Sequence, residues 1–429
     1  MKTLLRSLVG LCLVLASYYA HSQTLSDVVK GDKLFDKFDY DGALYYYELV
    51  NAAMPHDASV TRKIADTYRR MGNNNMAAEW YKKTLQIDAS NPDDMMHYAE
   101  TLRSLGEYDE AVAWYGEYAK FRPDDKRAQS HLKHKEYYVD LQSDSLKYVI
   151  KRLEINNSDP AIGMCRYENG KFLISSMRLD KINGMDNPNW AKELPFLDVY
   201  VCDLNEKEEL VNASRLDKNV NSKYHDGPMF YSKVDKNLYI TRNNMRGGRP
   251  ERDKNGNINL QIYTSKNDEG GWKSAQEVKI GDADYSYGHP CLTKDGNFLY
   301  YASNMPGGYG GTDIYVSQRT PDGWTEPVNL GPGVNSEGNE MFPFMTDNGV
   351  LYFSSDGWAG LGGLDIFRSD FIFGKWMDAV NLGYPVNSSS DDFSILYDNI
   401  DDSGFFFSSR TGLGNDDAYS FHTIKLIQM

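Results

Sequence analysis

The sequence predicts a multidomain chain of mixed α and β class, an N-terminal α-solenoid followed by a five-bladed β-propeller closed by an N-terminal strand. Three observations carry this. Residues recur every 34 positions in the first third of the chain and about every 52 in the rest. The segment joining the two parts has the pattern of the one strand the propeller lacks. With 429 residues, 41% of them apolar, the chain has material for two separate cores. The expected divisions are 1–22 export signal, 23–144 helical repeats and 145–429 propeller.

The chain begins with Lys2 and Arg6, the apolar run Leu8 to Ala16, and Ala20-His21-Ser22 before Gln23. That order reads as a cleavable secretory signal, cut after Ser22. The apolar run is shorter than the roughly 20 residues that span a bilayer. Leu11, beside Cys12, is bulkier than the small residue that precedes a lipidated cysteine. With no second long apolar run, no transmembrane segment is expected in the mature chain. The expected location is the periplasm, in association with the outer membrane through partners. Formal charge is 46 − 61 = −15, and −17 without Lys2 and Arg6, the wrong sign for a nucleic-acid partner. Cys165, Cys202 and Cys291 are odd in number and lack CxxC spacing, so free buried thiols are expected, not a disulfide framework or zinc site.

In the helical part, Ala43, Ala77 and Ala111 are 34 apart, as are Tyr47, Tyr81 and Tyr115, and the aromatic set Tyr46, Trp80 and Trp114. Pro55 and Pro123 differ by 68, twice that period. The third copy carries Leu102, Gly106, Tyr108, Ala111, Tyr115 and Pro123, and so resembles the tetratricopeptide repeat (TPR) family. The second copy supplies Ala65, Tyr68, Gly72 and Ala77. The first is weaker, with Lys30 at an apolar position and Phe38 where the turn glycine belongs. Alanines at these offsets let paired helices approach closely, and the aromatics wedge against the next repeat. Three repeats, with a further helix around Lys126 to Tyr138, make a small solenoid. The resemblance implies that its concave face is a peptide or partner surface. The register turns Arg62, Tyr68, Arg69, His97 and Thr101 toward that face or its edge. His131 and His134 have a metal-compatible spacing but no third ligand beside them, so no metal and no cofactor is expected.

From about Lys147 the pattern changes to short aromatic and β-branched runs between Gly, Asn, Asp and Pro, the mark of many short antiparallel strands. Val328-Asn329-Leu330-Gly331 returns at Val380-Asn381-Leu382-Gly383, Trp324 at Trp376, and Asn335-Ser336 at Asn387-Ser388, each 52 later. Asp313-Ile314-Tyr315 returns as Asp365-Ile366-Phe367 and Asp417-Ala418-Tyr419, with relatives at Gln261-Ile262-Tyr263 and Asp198-Val199-Tyr200, which makes five units. Each unit offers an inner strand such as Met341 to Met345, a second at Leu351 to Ser355, a third at Asp365 to Asp370 and an outer one at Trp376 to Leu382. The last unit ends after its third strand, Ala418 to Ile424. Lys147 to Leu153, followed by Asn156-Asn157-Ser158, matches the outer-strand register and is expected to complete it, removing the last open sheet edge.

These units resemble TolB-like and WD-repeat-like propellers. The elements LYFSSDG, GGLDIF and PVNS, behind a TPR array, resemble envelope proteins of Bacteroidetes, among them the PorE-type component of type IX secretion and gliding machinery. In those relatives a peptidoglycan-binding OmpA-like domain usually follows the propeller. This sequence stops at Met429, so the expectation is a scaffold without direct peptidoglycan binding.

No GxSxG elbow, HExxH, P-loop or dinucleotide fingerprint is present, and no catalytic residues are expected. Gly307 to Gly311 leads into a strand and not a helix, so it reads as a tight turn. Asp313, Asp365 and Asp417 each open a strand after such a turn, where a carboxylate caps backbone N–H groups. Two insertions depart from the repeat, Met177 to Phe196 with Trp190 and Arg242 to Leu260 with Arg242, Arg246, Arg249 and Arg252. Tryptophan and arginine are the residues of interface hot spots. The expected function is therefore a non-catalytic subunit that binds proteins, such as an outer-membrane barrel or secretion-machine subunit. The alternative is a propeller enzyme or carbohydrate-binding module with its site at the central channel mouth. That site would need convergent carboxylates or a metal, whereas Pro290-Cys291-Leu292-Thr293 and Phe342-Pro343-Phe344-Met345 read as packed core.

Overall fold

The computed structural model describes residues 24–133, 137–143, 147–156, 160–177, 196–246, 249–411 and 416–424. The expected signal, Cys12, His134 and Trp190 lie outside the described residues. The chain divides into two compact units, Met1–Leu132 and Lys133–Met429.

The first unit is built from α1 (24–35), α2 (Tyr40–Ala53), α3 (Ala58–Arg70), α4 (Asn74–Ile87), α5 (Pro92–Ser104), α6 (Tyr108–Phe121) and the start of α7 (Lys126–Lys133). Short polar side chains start the helices. Asp39 accepts from the Gly42 amide, Asp57 from those of Ser59 and Val60, Asn73 from Met76 and Asn91 from Asp93. The turns inside repeats two and three use Gly72 at φ 72° and Gly106 at φ 78°, and Phe38 takes the same left-handed conformation at φ 63°. Ala43, Ala77, Ala111, Tyr47, Tyr81 and Tyr115 are all buried, as the 34-residue period predicts. These are TPR-type helical repeats.

The second unit is a five-bladed propeller. Its inner strands are Ala161–Arg166, Asp226–Ser232, Tyr287–Leu292, Glu340–Met345 and Asp392–Asp398, each the first strand of its own sheet. The fifth blade is closed by Tyr148–Arg152, antiparallel to Asp417–Thr423 in the register Tyr148↔Thr423 to Arg152↔Tyr419. Arg152 donates twice to Asp417, at 2.8 and 2.9 Å, and Asn156 exchanges hydrogen bonds with the Ala418 backbone at 2.7 and 2.6 Å. The same asparagine staple recurs at Asn221 on Val199, Asn335 on Ile314 and Asn387 on Ile366. That is what the repeated Asn-Ser signature does. A short helix, α8 (Tyr137–Ser143), precedes the closing strand, and the Tyr384 amide donates to its Leu141 carbonyl at 2.9 Å.

Two of the aspartates that open third strands, Asp313 and Asp365, act as turn caps, whereas Asp417 is held by Arg152 and Asp198 by Arg215. Asp313 accepts from the amides of Tyr309 and Gly310 and from Asn329, and Asp365 from those of Leu361 and Gly362 and from Asn381. One expectation needs correction. The outer strand of blade 4 is not continuous from Trp376 to Leu382 but two pieces, Lys375–Trp376 and Val380–Asn381. Phe371 pairs with Trp376 while Phe367 pairs with Asn381, so the five residues 367–371 on one strand oppose the six residues 376–381 on the other. Blades 2 and 3 repeat this one-residue bulge, which kinks each outer strand in the same place.

Candidate binding surfaces

In the helical array, three residue types recur at the 34-residue offset: acids Asp32, Asp66 and Glu100, tyrosines Tyr47, Tyr81 and Tyr115, and bases Lys63, His97 and His131. Each tyrosine comes from the second helix of a repeat and each base from the first helix of the next. Tyr47 donates to Asp32 at 2.7 Å, and Lys63 reaches the same oxygen at 2.7 Å while lying over the Tyr47 ring. One repeat on, Tyr81 donates to Asp66 at 2.5 Å, Arg69 donates to the Tyr81 hydroxyl at 3.1 Å, and His97 Nδ1 stands 3.7 Å from Asp66. In the third, His131 stacks on Tyr115 at 4.1 Å with Arg103 3.2 Å from its Nε2.

The electrostatics follow from burial. Desolvation, then the negative field of Asp66, pushes the Tyr81 hydroxyl above its ordinary range, so it stays a proton donor. Burial, then the Arg69 charge, lowers His97; burial, then Arg103, holds His131 well below the ordinary histidine value. Both imidazoles are therefore neutral at neutral pH.

The structure places the predicted groove residues within this frame. Arg62 forms a fork on Asp94 at 2.6 and 2.7 Å, joining repeats two and three, with the Asp94 carboxylate buried. Tyr68 is half-buried, its hydroxyl 3.4 Å from Glu48. Arg69 and His97 share Asp66. Thr101 differs from expectation: it is buried and its hydroxyl donates to the His97 carbonyl at 2.7 Å, within its own helix. Sequence reasoning missed Asp32, Asp66, Glu100 and Lys63, although they obey the same period as the tyrosines.

In the propeller, Arg242 belongs to the strand Asn237–Asn243 and not to the insertion. Its buried guanidinium is ion-paired with Asp226 and lies over the Tyr263 ring, which corrects the expectation of a loop arginine. Burial raises the Asp226 pKa and the Arg242 charge opposes that rise. Acids opening two other inner strands are also paired, Asp392 with Arg410 at 2.5 Å and Glu340 with Ser336 and Ser355 at 2.5 and 2.6 Å. The insertion itself is ordered over its described residues. Arg246 pairs with Arg249 in a small hairpin, and Arg249 is exposed.

The propeller axis is filled by the inner strands. Each shifts register once by a bulge, and the bulge residues His289, Phe342 and Ser394 have φ between 53° and 55°. His289 stacks on Phe342 at 4.0 Å and accepts from the Phe342 amide at 3.2 Å; burial lowers its pKa to about 4. A cavity of about 40 Å³ remains, lined by Met164, Pro228, Pro290 and Ser394 among others. That is room for water and not for a sugar ring. Among the described residues no group of three or more His, Cys, Asp or Glu side chains could hold a metal ion, and no helix is long and apolar enough to cross a membrane.

The family model of anaphase-promoting complex, cyclosome, subunit 3 matches residues 36–118. No curated protein matches the chain. The first TPR of Spaghetti (RPAP3), bound to an HSP90 peptide, is 19% identical over 28% of this chain and 94% of that one, with a TM-score of 0.26. The Arabidopsis OM64 TPR domain is 18% identical over 27% and 94%, TM-score 0.25. The Yersinia enterocolitica type III secretion chaperone SycD, solved with a peptide of the translocator YopD, is 17% identical over 27% and 94%, TM-score 0.25.

Proposed function

We propose that the chain is a non-catalytic scaffold of the cell envelope, exported to the periplasm and held at the outer membrane by protein partners in a type IX secretion or gliding assembly. The observation that carries the binding role is the polar frame of the helical array. Its acids, tyrosines and bases are tied to one another from repeat to repeat, so the polar groups are positioned before any partner arrives. Preorganisation of that kind lowers the ordering cost of binding an extended segment. Arg62, Tyr68, Arg69 and His97 would meet the partner there. Arg246, Arg249 and Trp190 would serve on the propeller. The export and envelope assignment draws support from the N-terminal run up to Gln23 and from the LYFSSDG, GGLDIF and PVNS elements.

The test is affinity purification of the full chain from crosslinked cells, beside an Arg69→Ala/His97→Ala variant. An outer-membrane or secretion-machine protein should copurify with the wild type and fall about tenfold with the variant. Recovery of no envelope protein, or equal recovery with both, refutes the proposal.

A further inference from the structure

The hairpins joining third and outer strands in blades 2, 3 and 4 share a two-residue loop and differ in one respect. In blade 2 the pair Asp268↔Gly271 encloses Glu269-Gly270, in blade 3 Thr320↔Gly323 encloses Pro321-Asp322, and in blade 4 Ile372↔Lys375 encloses Phe373-Gly374. In blades 2 and 3 the residue after the loop is a glycine, which takes the positive φ at 87° and 137°. Blade 4 has Lys375 there, and the two loop residues take it instead, Phe373 at 52° and Gly374 at 78°. Two-residue loops of that form favour Asn, Asp or Gly at the first position, and a bulky residue there is strained. Phe373 gains no packing in return, since it is 101% exposed. Phe371, Ile372 and Met377 beside it are exposed as well.

A strained, unpacked aromatic at a hairpin tip points to something outside the chain that receives it. We infer that the blade 4 hairpin is a docking knob, with Phe373 at its tip, for a protein partner that offers an apolar pocket with a Lys/Arg rim. Charge selects that occupant. Asp370 and Asp378 flank the knob and outnumber its one cation, Lys375, and Ile400, 86% exposed, precedes Asp401-Asp402, Asp398 being held by Arg166. Because strands alternate in direction, that first hairpin of blade 5 opens on the same face as the knob. A bilayer is the poorer match: stable anchoring by one small apolar element needs an adjoining basic patch, and this chain has a formal charge of −15.

The experiment has two arms, both on the full chain. With p-benzoylphenylalanine at Phe373, photo-crosslinking in cells should give a discrete protein adduct mapping to an apolar pocket beside Lys or Arg. The same probe at Pro321 should give none. Phe373→Asn should raise the unfolding midpoint of the purified chain by about 1–2 °C and cut the adduct formed from a probe at Met377 about tenfold. A lowered midpoint would make the side chain structural and overturn the inference. So would no adduct, adducts only to lipid or to a second copy, or sedimentation with phosphatidylethanolamine–phosphatidylglycerol vesicles. The inference builds on the binding role above, yet the Arg69→Ala/His97→Ala variant separates the two. It should leave the Phe373 adduct intact whether or not the groove binds anything, and loss of the adduct there overturns a separate knob.

Discussion

One ion pair at the ring closure has a calculable effect on removal. Arg152, on the closing strand, places two N–H groups 2.8 and 2.9 Å from Asp417, whose carboxylate is 2% exposed. Truncation in Arg152→Ala leaves that carboxylate buried without its cation. A fully buried pair loses about 3–5 kcal/mol when one partner is removed. The Arg152 side chain is 41% exposed, so water and salt already screen it, and about 2 kcal/mol is the reasonable expectation. With about 2.1 cal/mol/K of unfolding entropy per residue, spread over the unit Lys133–Met429, that loss lowers the propeller midpoint by about 3 °C. Differential scanning calorimetry reads it directly. Arg166→Ala is the control, because its 2.6 Å pair with Asp398 has both partners partly exposed and should cost about 0.5 kcal/mol. A midpoint for Arg152→Ala no lower than that of Arg166→Ala would refute the reasoning, and with it the view that the closing strand is clamped by this pair.

Phe38→Gly should stabilise the helical array by about 1 kcal/mol in urea unfolding, since it relieves a left-handed phenylalanine that is 78% exposed; a loss of stability would mean that its edge contact with Tyr40 outweighs the strain. Arg242→Ala should destabilise the propeller by about 3–5 kcal/mol by stranding buried Asp226, whereas an arginine serving only a partner would leave the unfolding curve unchanged. His289 sets an acid limit. Its folded pKa of about 4 lies below the unfolded value, so the unfolded chain takes up the proton first. The stability concerned is complete above about pH 6.5 and is lost at about 1.4 kcal/mol per pH unit on the way down to about 4. Asparagine tolerates the positive φ and can accept the Phe342 amide, so His289→Asn should flatten that slope; an unchanged slope excludes His289 as its source.

Much of this architecture is written in periodicity. Ala43, Tyr47 and their copies are core because a 34-residue unit stacks on itself, and the closing strand is legible because Lys147 to Leu153 carries the outer-strand pattern of the other units. What escaped depends on pairing across elements. The outer-strand bulge is a matter of register, and nothing in the Trp376 to Leu382 pattern marks the extra residue. Arg242 reads as the first residue of an insertion until Asp226, 16 positions earlier, is seen beside it. Asp32, Asp66 and Glu100 keep the period but look like an ordinary solvated helix face. For Asp32 and Asp66, only the tyrosine hydroxyls from the second helix of each repeat reveal their role.

The two periods also separate packing from function within the molecule. A residue that repeats at 34 or 52 positions with the same contacts is accounted for by the fold, as the asparagine staples and aspartate caps are. A residue that breaks the period where glycine would suit the backbone better raises the energy of the fold and must be compensated elsewhere. Phe38 stands where repeats two and three have glycine, and Phe373 strains a turn that blades 2 and 3 relax with a glycine one step later. Both are aromatic and both face solvent. Phe38 keeps an edge contact with Tyr40 in its own chain, whereas Phe373 gains no packing from the propeller, so the pocket inferred for it is where that strain would be offset.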